Sequence, residues 1–555
     1  KEVPSTKNLL VGYEAEDGAL KTGEFDLVVL SSGLCPSSGV GKLAETFGVE
    51  LNEHGFCKTE KFTPAETSRP GIYVCGPFTE PKDIPETVVA ASAASAKAMA
   101  LLAEARGTLV VRREYPPEIN VSGQQPRVGV FVCHCGTNIG GVADVPAVVA
   151  YARTLANVVH AEDNLYTCSA DSQIRIKEKI KEHGLNRVVV ASCTPRTHEP
   201  LFRNTCREAA LNPYLFEMAN IRDQNTWVHM REHEQATCKA KDLVRMAVAK
   251  SRLLEPLQNR SLEVNNNALV IGAGLSGVCA ALELAEQGFE VHLVEKEKEP
   301  GGNLRKLHYL LGSPEKPREK LEALLEKVKG HKKIHLHLET AIVEIAGSLG
   351  SFKTKLSGLN GAQPLEIGHG AVIVATGAEE YKPKEFLYGQ DPRVLTQVEL
   401  EEKLASHPSS LIPHPSTVVM IQCVGSRTKE RPYCSRVCCS HAIKNALKLK
   451  ELKPETEVYI LYRDIRSYGF REESYRKARE AGVVFLRYNE DAEPAVAKEN
   501  GGLKVTVNDP VLRTTVTINA DLLALSSAVI PSPGNGDLAQ KLKVPLNQDK
   551  FFLEA

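Results

Sequence analysis

The sequence has no run of about 18 apolar residues, which excludes a membrane-spanning helix. It has no excess of either charge: 68 basic residues stand against 69 acidic ones, a formal net charge of −1. That balance excludes a whole-molecule pull toward nucleic acid or anionic membranes. No signal-peptide pattern opens the chain, and it starts on Lys1 rather than Met, which suggests processing or a longer parent polypeptide. At 42% hydrophobic and 25% charged residues, the composition is that of a globular protein. Its 555 residues allow three or four domains, at roughly 100–200 residues each. A cytoplasmic location is expected.

Cysteine is abundant, with fourteen in all. A secreted disulfide scaffold would be short and loop-rich, and this chain is neither. Cys423, Cys434, Cys438 and Cys439 crowd into 17 residues. Adjacent Cys438 and Cys439 make poor disulfide partners, whereas thiolates gathered in one loop suit a metal or an iron–sulfur cluster. The paired C-x2–4-C knuckles of a structural zinc site are missing, which favours a [4Fe–4S] cluster.

A second group is dispersed. Cys133 and Cys135 follow the strand-like VGVFV, Cys168 follows NVVHAE by a short loop, and Cys193 follows RVVVAS. Short apolar runs alternate with helical patterns from Val128 onward, a βαβαβ rhythm that predicts a parallel sheet closed by a helix from His233 to Leu254. Strand carboxyl ends of such a sheet face one crevice, so three loops there can gather four thiolates. Spacing alone leaves ligation and burial level for this set. Cys206, Cys238 and Cys279 lie inside helical patterns and read as buried packing residues. Cys75 has no partner nearby.

The chain's beginning resembles its end. Residues 26–60 align without gaps onto 521–555 with 15 identities over 35 positions. The shared skeleton is a buried strand, a Pro-Ser-x-Gly turn, an amphipathic helix and a short V-x-L-N strand. Cys35 and Cys57 align with Ile530 and Phe552, which argues against a ligand role for either. Two incomplete copies of one domain type are therefore expected.

Ala268 to Glu295 reads as strand, glycine turn, Ala-rich helix and second strand. Gly272, Gly274 and Gly277 let the backbone approach a pyrophosphate at a helix N-terminus. Glu295, 18 residues beyond Gly277, is placed to accept from a ribose hydroxyl. The following Lys296 and Pro300-Gly301-Gly302, and later Val372-Ile-Val-Ala375-Thr376-Gly377, resemble the two-dinucleotide-binding flavoproteins and imply FAD. Such proteins carry a second glycine fingerprint for a nicotinamide nucleotide. Here the equivalent strand, TVVMIQ at 417–422, runs instead into Cys423-Val-Gly-Ser-Arg427.

At VGVFVCHCGTNIGG, SCTPRTHEPLFRNT, GAGLSGVCAALELAEQG and QCVGSR followed by RPYCSRVCCSHAIKNALK, the chain resembles the heterodisulfide reductase A-subunit family and its bacterial tandem relatives. The match extends to GPFTEPKDIPETVVAASAASAKA at 76–98, which looks like that family's flavin-domain ending. The resemblance implies an FAD- and [4Fe–4S]-dependent oxidoreductase subunit that passes electrons between flavin and clusters within a multi-subunit complex, often linked to flavin-based electron bifurcation. It implies two clusters, on Cys423/434/438/439 and Cys133/135/168/193, partner redox subunits and a homodimeric core. It also implies flavin contacts from Leu275, Ser276, Lys296, Gly302, Asn303, Ala375, Thr376 and Gly377, with Gly76, Lys82, Asp83 and Ile84 from the ending. Lys444 matches a lysine near the flavin's reactive edge, the alternative being a solvated helix lysine like Lys448 or Lys450. Arg196, His198, Glu199, Asn220, Arg222, Gln224 and Trp227 would line the first crevice, as a docking face or as satisfied loop polar groups.

The expected fold class is α/β, with FAD-binding Rossmann-type domains of two-dinucleotide-binding flavoprotein kind and a separate parallel α/β cluster domain. The expected divisions are 1–110 as the back half of a first flavin domain and 111–127 as a linker. An α/β iron–sulfur domain would follow at 128–262 and an FAD-binding Rossmann domain at 263–400. A modified nicotinamide-type domain carrying a cluster would occupy 401–515, and 516–555 would be a truncated return to the FAD domain. On this reading the second flavin site is open, the first has a lid and no base, and the chain would hold FAD less tightly than a longer parent. Ferredoxin-like C-x2-C-x2-C-x3-C-P runs are absent. Two other functions compete: a stand-alone flavin disulfide reductase, against which no C-x4-C pair follows Gly277, and a non-catalytic cluster-bearing scaffold.

Overall fold

A computed structural model describes residues 1–555 except 16–17, 360, 362, 407–414, 500 and 555, so Ala555, the last residue of the repeat, and part of the 401–515 segment lie outside the described residues. The chain forms two compact units, Lys1–Arg106 with Glu263–Ala555, and Gly107–Leu262.

The first unit opens with an antiparallel hairpin, β1 (Leu9–Glu14) and β2 (Leu20–Phe25), then helices α1 (Val40–Phe47) and α2 (Ile84–Leu101). Asp83 fixes the start of α2: its carboxylate accepts from the Glu86 amide while Glu86 accepts from the Asp83 amide, a reciprocal cap. The buried strand expected from Asp26 is not formed. Leu27, Val29 and Leu30 are 75–80% exposed, and residues 27–36 make no backbone hydrogen bond among the described residues. The reason is visible in the other copy, where the equivalent residues are covered by a strand on either side. A β-prone run with no neighbouring strand leaves its amides to water.

The Gly107–Leu262 unit runs β3 (Val128–Cys133), α3 (Val145–Ala152), β4 (Val158–Asn164), α4 (Ala170–Glu182), β5 (Arg187–Ser192), α5 (Pro195–Glu208), β6 (Phe216–Asn220) and α6 (His233–Ser251). Its four strands are parallel in the order β4-β3-β5-β6. Every residue of β3 and β5 is buried, the continuous apolar pattern of a sheet covered on both faces. Val128, Val130 and Val132 pack with α3 and α6, and Phe131 packs with α4 and α5.

The first unit resumes with β7 (Ala268–Ile271), α7 (Leu275–Glu286), β8 (Val291–Val294), α8 (Pro317–Gly330), β9 (Ile334–His337), an antiparallel triplet β10 (Thr340–Ser348), β11 (Ser351–Gly358) and β12 (Leu365–His369), and β13 (Ala371–Val374). Strands β13-β7-β8-β9 form a parallel Rossmann-type sheet. Next come β14 (Ala378–Glu380), β15 (Val394–Thr396), α9 (Gln397–Ser406), β16 (Thr417–Val424), α10 (Cys438–Leu452), β17 (Glu457–Tyr462), α11 (Arg471–Glu480) and β18 (Val483–Arg487). The triplet β19 (Ala495–Glu499), β20 (Gly502–Asp509) and β21 (Thr514–Ala520) leads to β22 (Leu522–Ser527), β23 (Val529–Pro531) and α12 (Asn535–Leu542). A second parallel sheet has the order β15-β22-β16-β17-β18, and β14 pairs with β23 between the two sheets.

The repeat survives as geometry. Helices α1 and α12 occupy matching positions, each ends in a left-handed residue, Gly48 and Lys543, and each is followed by a tight antiparallel bridge, Leu51–Cys57 and Leu546–Phe552.

Candidate functional site

The dinucleotide turn lies between β7 and α7. Gly272 has φ +101°, and a Cβ there would sit 2.4 Å from the Ala375 carbonyl; a Cβ on Gly277 would sit 1.8 Å from the Gly272 carbonyl. A Cβ on Gly274 meets nothing within 4 Å, so this turn is closed beneath and open above, where Leu275 and Ser276 begin α7. Glu295 directly follows β8 and is buried; its carboxylate accepts from the Ala273 amide (2.7 Å) and the Glu297 amide (3.0 Å). It therefore shapes the loop as well as facing it. Gly301 and Gly302, both left-handed, bring that turn against Gly274, and Asn303 donates to the Ala378 carbonyl at 2.8 Å. Thr376, between Ala375 and Gly377, donates to Asn535 Oδ1 at 3.1 Å, so the repeat's own helix steadies the second signature. Lys296 stays exposed near Glu297 and Glu379. Gly277→Ala is expected to reduce bound FAD on the order of tenfold or more, tenfold being about 1.4 kcal/mol, because the added methyl meets backbone that cannot yield. Iron content serves as the control, and FAD released per chain is the readout.

The second site is expected to be open, and the structure sets a helix of the first segment beside its dinucleotide helix. Helix α2, from the segment preceding the cluster unit in sequence, lies along α7: Lys97 pairs with Glu283 (2.6 Å) and Glu66 (3.1 Å), and the Arg106 guanidinium lies over the Phe289 ring. At its other end Glu86 pairs with Arg436 of the cysteine loop (3.1 Å). Gly76 is left-handed against Thr87, Lys82 donates to Thr79 and Glu80, and Ile84 is exposed. Pro81, Lys82 and Asp83 line a cavity of about 450 Å³ together with Cys434, Arg466 and Tyr468. The lid of one copy thus packs on the base of the other within one unit.

The loop cysteines gather at the carboxyl end of β16. Cys423 (φ +63°) follows a break in strand register between Ile421 and Val424, and Arg427 and Arg436 are also left-handed. Three non-glycine residues in that region mark a loop held in a sparsely populated shape. Gly425 has no alternative, since a Cβ would meet the Tyr381 ring at 2.4 Å. Cys438 and Cys439 open α10; they and Cys423 are buried, and Cys434 is half-buried. The neighbouring Cys439 thiol, together with burial, drives the Cys438 thiol far up, and Cys423 and Cys434 lie within electrostatic range.

The dispersed cysteines are also brought together. Cys133 Sγ accepts from the Cys135 and Thr167 amides at 3.3 and 3.4 Å, and Arg222 Nη1 lies 3.6 Å from Cys135 Sγ. Burial raises the thiols of Cys168 and Cys193; Cys133 and Cys135 act on both in the same direction, and Arg222 opposes. Arg222 stacks on Trp227 at 4.5 Å, while Glu199 turns to Arg203. Cys206 is fully buried and burial pushes its thiol up to about 12, as a packing residue should be. Cys238, expected to be buried, is exposed.

Two observations bear on what these thiols hold. A mononuclear zinc site puts its sulfurs about 3.8 Å apart, from Zn–S bonds of about 2.3 Å; among the described residues no three cysteine sulfurs lie within 4.8 Å of one another. The described residues thus hold no three thiols at the spacing of a mononuclear zinc site. Secondly, buried polar side-chain atoms without partners concentrate here: Gln422, Ser426, Arg427, Ser440 and Arg463 around the loop set, and Asn164, Thr167, Ser192 and Arg222 around the dispersed set. Most can donate, and the inorganic sulfide of a cluster would offer the acceptors they lack.

Lys444 is not a solvated lysine. It is buried, with Nζ 2.8 Å from Glu401 and 2.9 Å from the Tyr309 carbonyl. Glu401, wholly buried, also accepts from His441 (2.7 Å) and the His308 amide (2.7 Å). Burial opposes its ionisation, yet His441 and Lys444 hold its carboxyl down at about 2. Burial lowers Lys444 in turn, against the pull of Glu401. No motif pointed to Glu401 or Tyr309, and His441, inside the quoted cysteine motif, was given no role, because the contacts that join these residues cross long stretches of sequence.

These features define an α/β protein with a Rossmann-type dinucleotide site and thiol-lined crevices at the carboxyl ends of parallel strands. Residues 270–320 match the family model described as an NAD(P)-binding Rossmann-like domain. The chain is 37% identical to the A-subunit of the H(2):CoB-CoM heterodisulfide,ferredoxin reductase of Methanothermobacter thermautotrophicus, over 78% of this chain and 79% of that one. It is 37% identical to the second iron-sulfur A-subunit of the CoB--CoM heterodisulfide reductase of Methanopyrus kandleri, over 78% and 79%. A heterodisulfide reductase A-subunit-like protein of Archaeoglobus profundus is 31% identical over 78% and 80%. The chain belongs to the heterodisulfide reductase A-subunit family. A solved Lactococcus lactis thioredoxin reductase overlaps 52% of this chain and 85% of its own at a TM-score of 0.37 and 16% identity.

Proposed function

We propose that this chain is an FAD- and [4Fe–4S]-dependent electron-transfer subunit of a heterodisulfide reductase-like complex. When bound, FAD would accept electrons in pairs and release them singly, matching a cluster that exchanges one at a time, which would let one subunit join two kinds of redox partner. The name of the Methanothermobacter relative pairs a heterodisulfide with ferredoxin; a division of electrons between two acceptors is proposed here, in the cytoplasm, through partner redox subunits and about a homodimeric core. Among the described residues no helix is long and apolar enough to cross a membrane.

The roles follow from the residues. Gly272, Gly274, Gly277 and Gly302 give a pyrophosphate its backbone cradle, and Glu295 faces the ribose while fixing the turn. Helix α2 holds the dinucleotide helix at one end and the cysteine loop at the other. The Glu401–Lys444 pair joins the 308–309 loop of the flavin sheet to α10, whose first turn carries Cys438 and Cys439. Lys444 thereby keeps a cation fixed between the two cofactor regions. The single observation that carries the reading is the gathering of four thiols, ringed by unpartnered donors, where a second dinucleotide fingerprint would stand.

Anaerobic purification with iron, acid-labile sulfide and FAD counted per chain tests it. About eight irons with one FAD are expected from two clusters on four thiolates each. About four irons would confine ligation to one cysteine set. Zinc in place of iron, without flavin, would overturn the reading.

A further inference from the structure

We infer that Arg427 sets the reduction potential of the cluster held by Cys423, Cys434, Cys438 and Cys439, and that Asp464 is the counter-charge limiting its effect. This rests on the cofactor reading above and assigns a role to residues given none there.

The cysteine loop is rich in arginine, but its arginines are not equivalent. Arg436 is 64% exposed and spent on Glu86 and the Tyr468 hydroxyl. Arg431 lies over the Tyr381 ring and donates to the Gly425 carbonyl. Arg466 is half exposed, 3.8 Å from Asp464. Arg427 alone combines three features. Its backbone is left-handed (φ +58°) directly after the Gly425–Ser426 turn, its charge lies within electrostatic range of the Cys423 sulfur, and Nη2 pairs with Asp464 at 2.9 Å.

Arg427 is also buttressed. Its carbonyl accepts from Arg463 Nη1 at 2.8 Å, and the Arg463 side chain is only 6% exposed. Below it, the Tyr488 hydroxyl donates to the Gln422 carbonyl at 2.8 Å, securing the residue before Cys423. One guanidinium nitrogen on each arginine, Arg427 Nη1 and Arg463 Nε, is buried without a partner. A buried donor left unpaired in the chain points to an acceptor outside it.

A cluster on four thiolates gains one negative charge on reduction. A cation fixed within electrostatic range of its sulfurs, in a buried loop where water screens little, favours the reduced form and raises the potential. Asp464 is 47% exposed and its backbone carbonyl also lies 3.8 Å from Cys439 Sγ. Its carboxylate cancels part of the Arg427 field, so the two residues act as opposed levers on one cluster.

The test is a redox titration of the full chain, purified anaerobically and followed by electron paramagnetic resonance, using the signal that Cys438→Ala lacks. Arg427→Gln, which keeps a donor and removes the charge, is expected to lower the midpoint. Arg427→Lys should restore most of it. Asp464→Asn, which leaves every ligand and Arg427 in place, should raise it. A full iron complement with an unmoved midpoint in Arg427→Gln would overturn the inference. If Arg427→Gln loses its iron, Asp464→Asn decides alone: a midpoint that stays or falls overturns it. Wild-type protein without iron would fail the cofactor reading instead, a result the iron count separates from the other two.

Discussion

Cys438→Ala is expected to remove about four irons per chain and to leave FAD bound. Cys438 is 6% exposed at the first turn of α10, and Cys423, Cys434 and Cys439 lie around it. Alanine keeps the helix and most of the packing, so the loss should fall on iron rather than on the fold. The flavin contacts depend on a different sheet, β13-β7-β8-β9, whereas the cysteine loop grows from β16 in the sheet β15-β22-β16-β17-β18. Iron and acid-labile sulfide, assayed beside acid-released flavin, give the answer. Cys206→Ala is the control: that cysteine is 0% exposed in the core of the other unit, and its replacement should leave the iron count intact. Loss of FAD together with iron in Cys438→Ala would mean that the unit needs its cluster in order to fold.

The two cofactor regions were legible to different degrees. The glycine turn and Glu295 follow from a local rule, since strand, turn, helix and strand are contiguous and each dictates the next. The dispersed cysteines were half legible. Spacing said nothing, but the alternation of strands and helices put Cys133, Cys168 and Cys193 at one edge of one parallel sheet, where β3, β4 and β5 do end. Topology brought them together where sequence distance could not.

Other features lay beyond local reading. The strand expected from Asp26 has the right residues and the wrong surroundings: its equivalent, β22, sits between β15 and β16, and nothing in 1–106 plays their part among the described residues. β propensity registers fitness for a sheet and not the presence of one. Helix α2 was recognisable as a flavin-domain ending but not as the lid for α7, because that pairing depends on Lys97 and Glu283, far apart in the chain. Glu401 looked like one acid among several in VELEEKL, and only the fold turns it inward.

That inward turn makes Glu401 the site of the largest expected loss of stability. Glu401→Gln removes the counter-ion of Lys444, which is buried beneath Tyr309, and the expected cost is about 3–5 kcal/mol, the range for breaking a buried pair from one side. The amide can keep some of the hydrogen bonds from the His308 amide and His441, but it cannot neutralise the ammonium. Replacing both charges, as in Glu401→Leu with Lys444→Met, should recover much of the loss, since neither partner is then left charged in the core. Acid should erase the difference between wild type and Glu401→Gln. The carboxyl titrates at 4.5 when unperturbed and at about 2 in the folded chain, so between these values the unfolded chain binds the extra proton. The stability contributed by the carboxylate is therefore whole above pH 4.5 and drains away as the pH falls toward 2. Thermal unfolding from neutral pH downward is the measurement: the two melting temperatures should lie far apart at about pH 7 and converge below about 4.5. A gap that persists undiminished into that acid range would mean that shape, and not the buried charge pair, is what Glu401 contributes. In that case Lys444 would need another anion to explain its burial, and the loop that joins the flavin sheet to α10 would be held by the Tyr309 and Asn445 hydrogen bond.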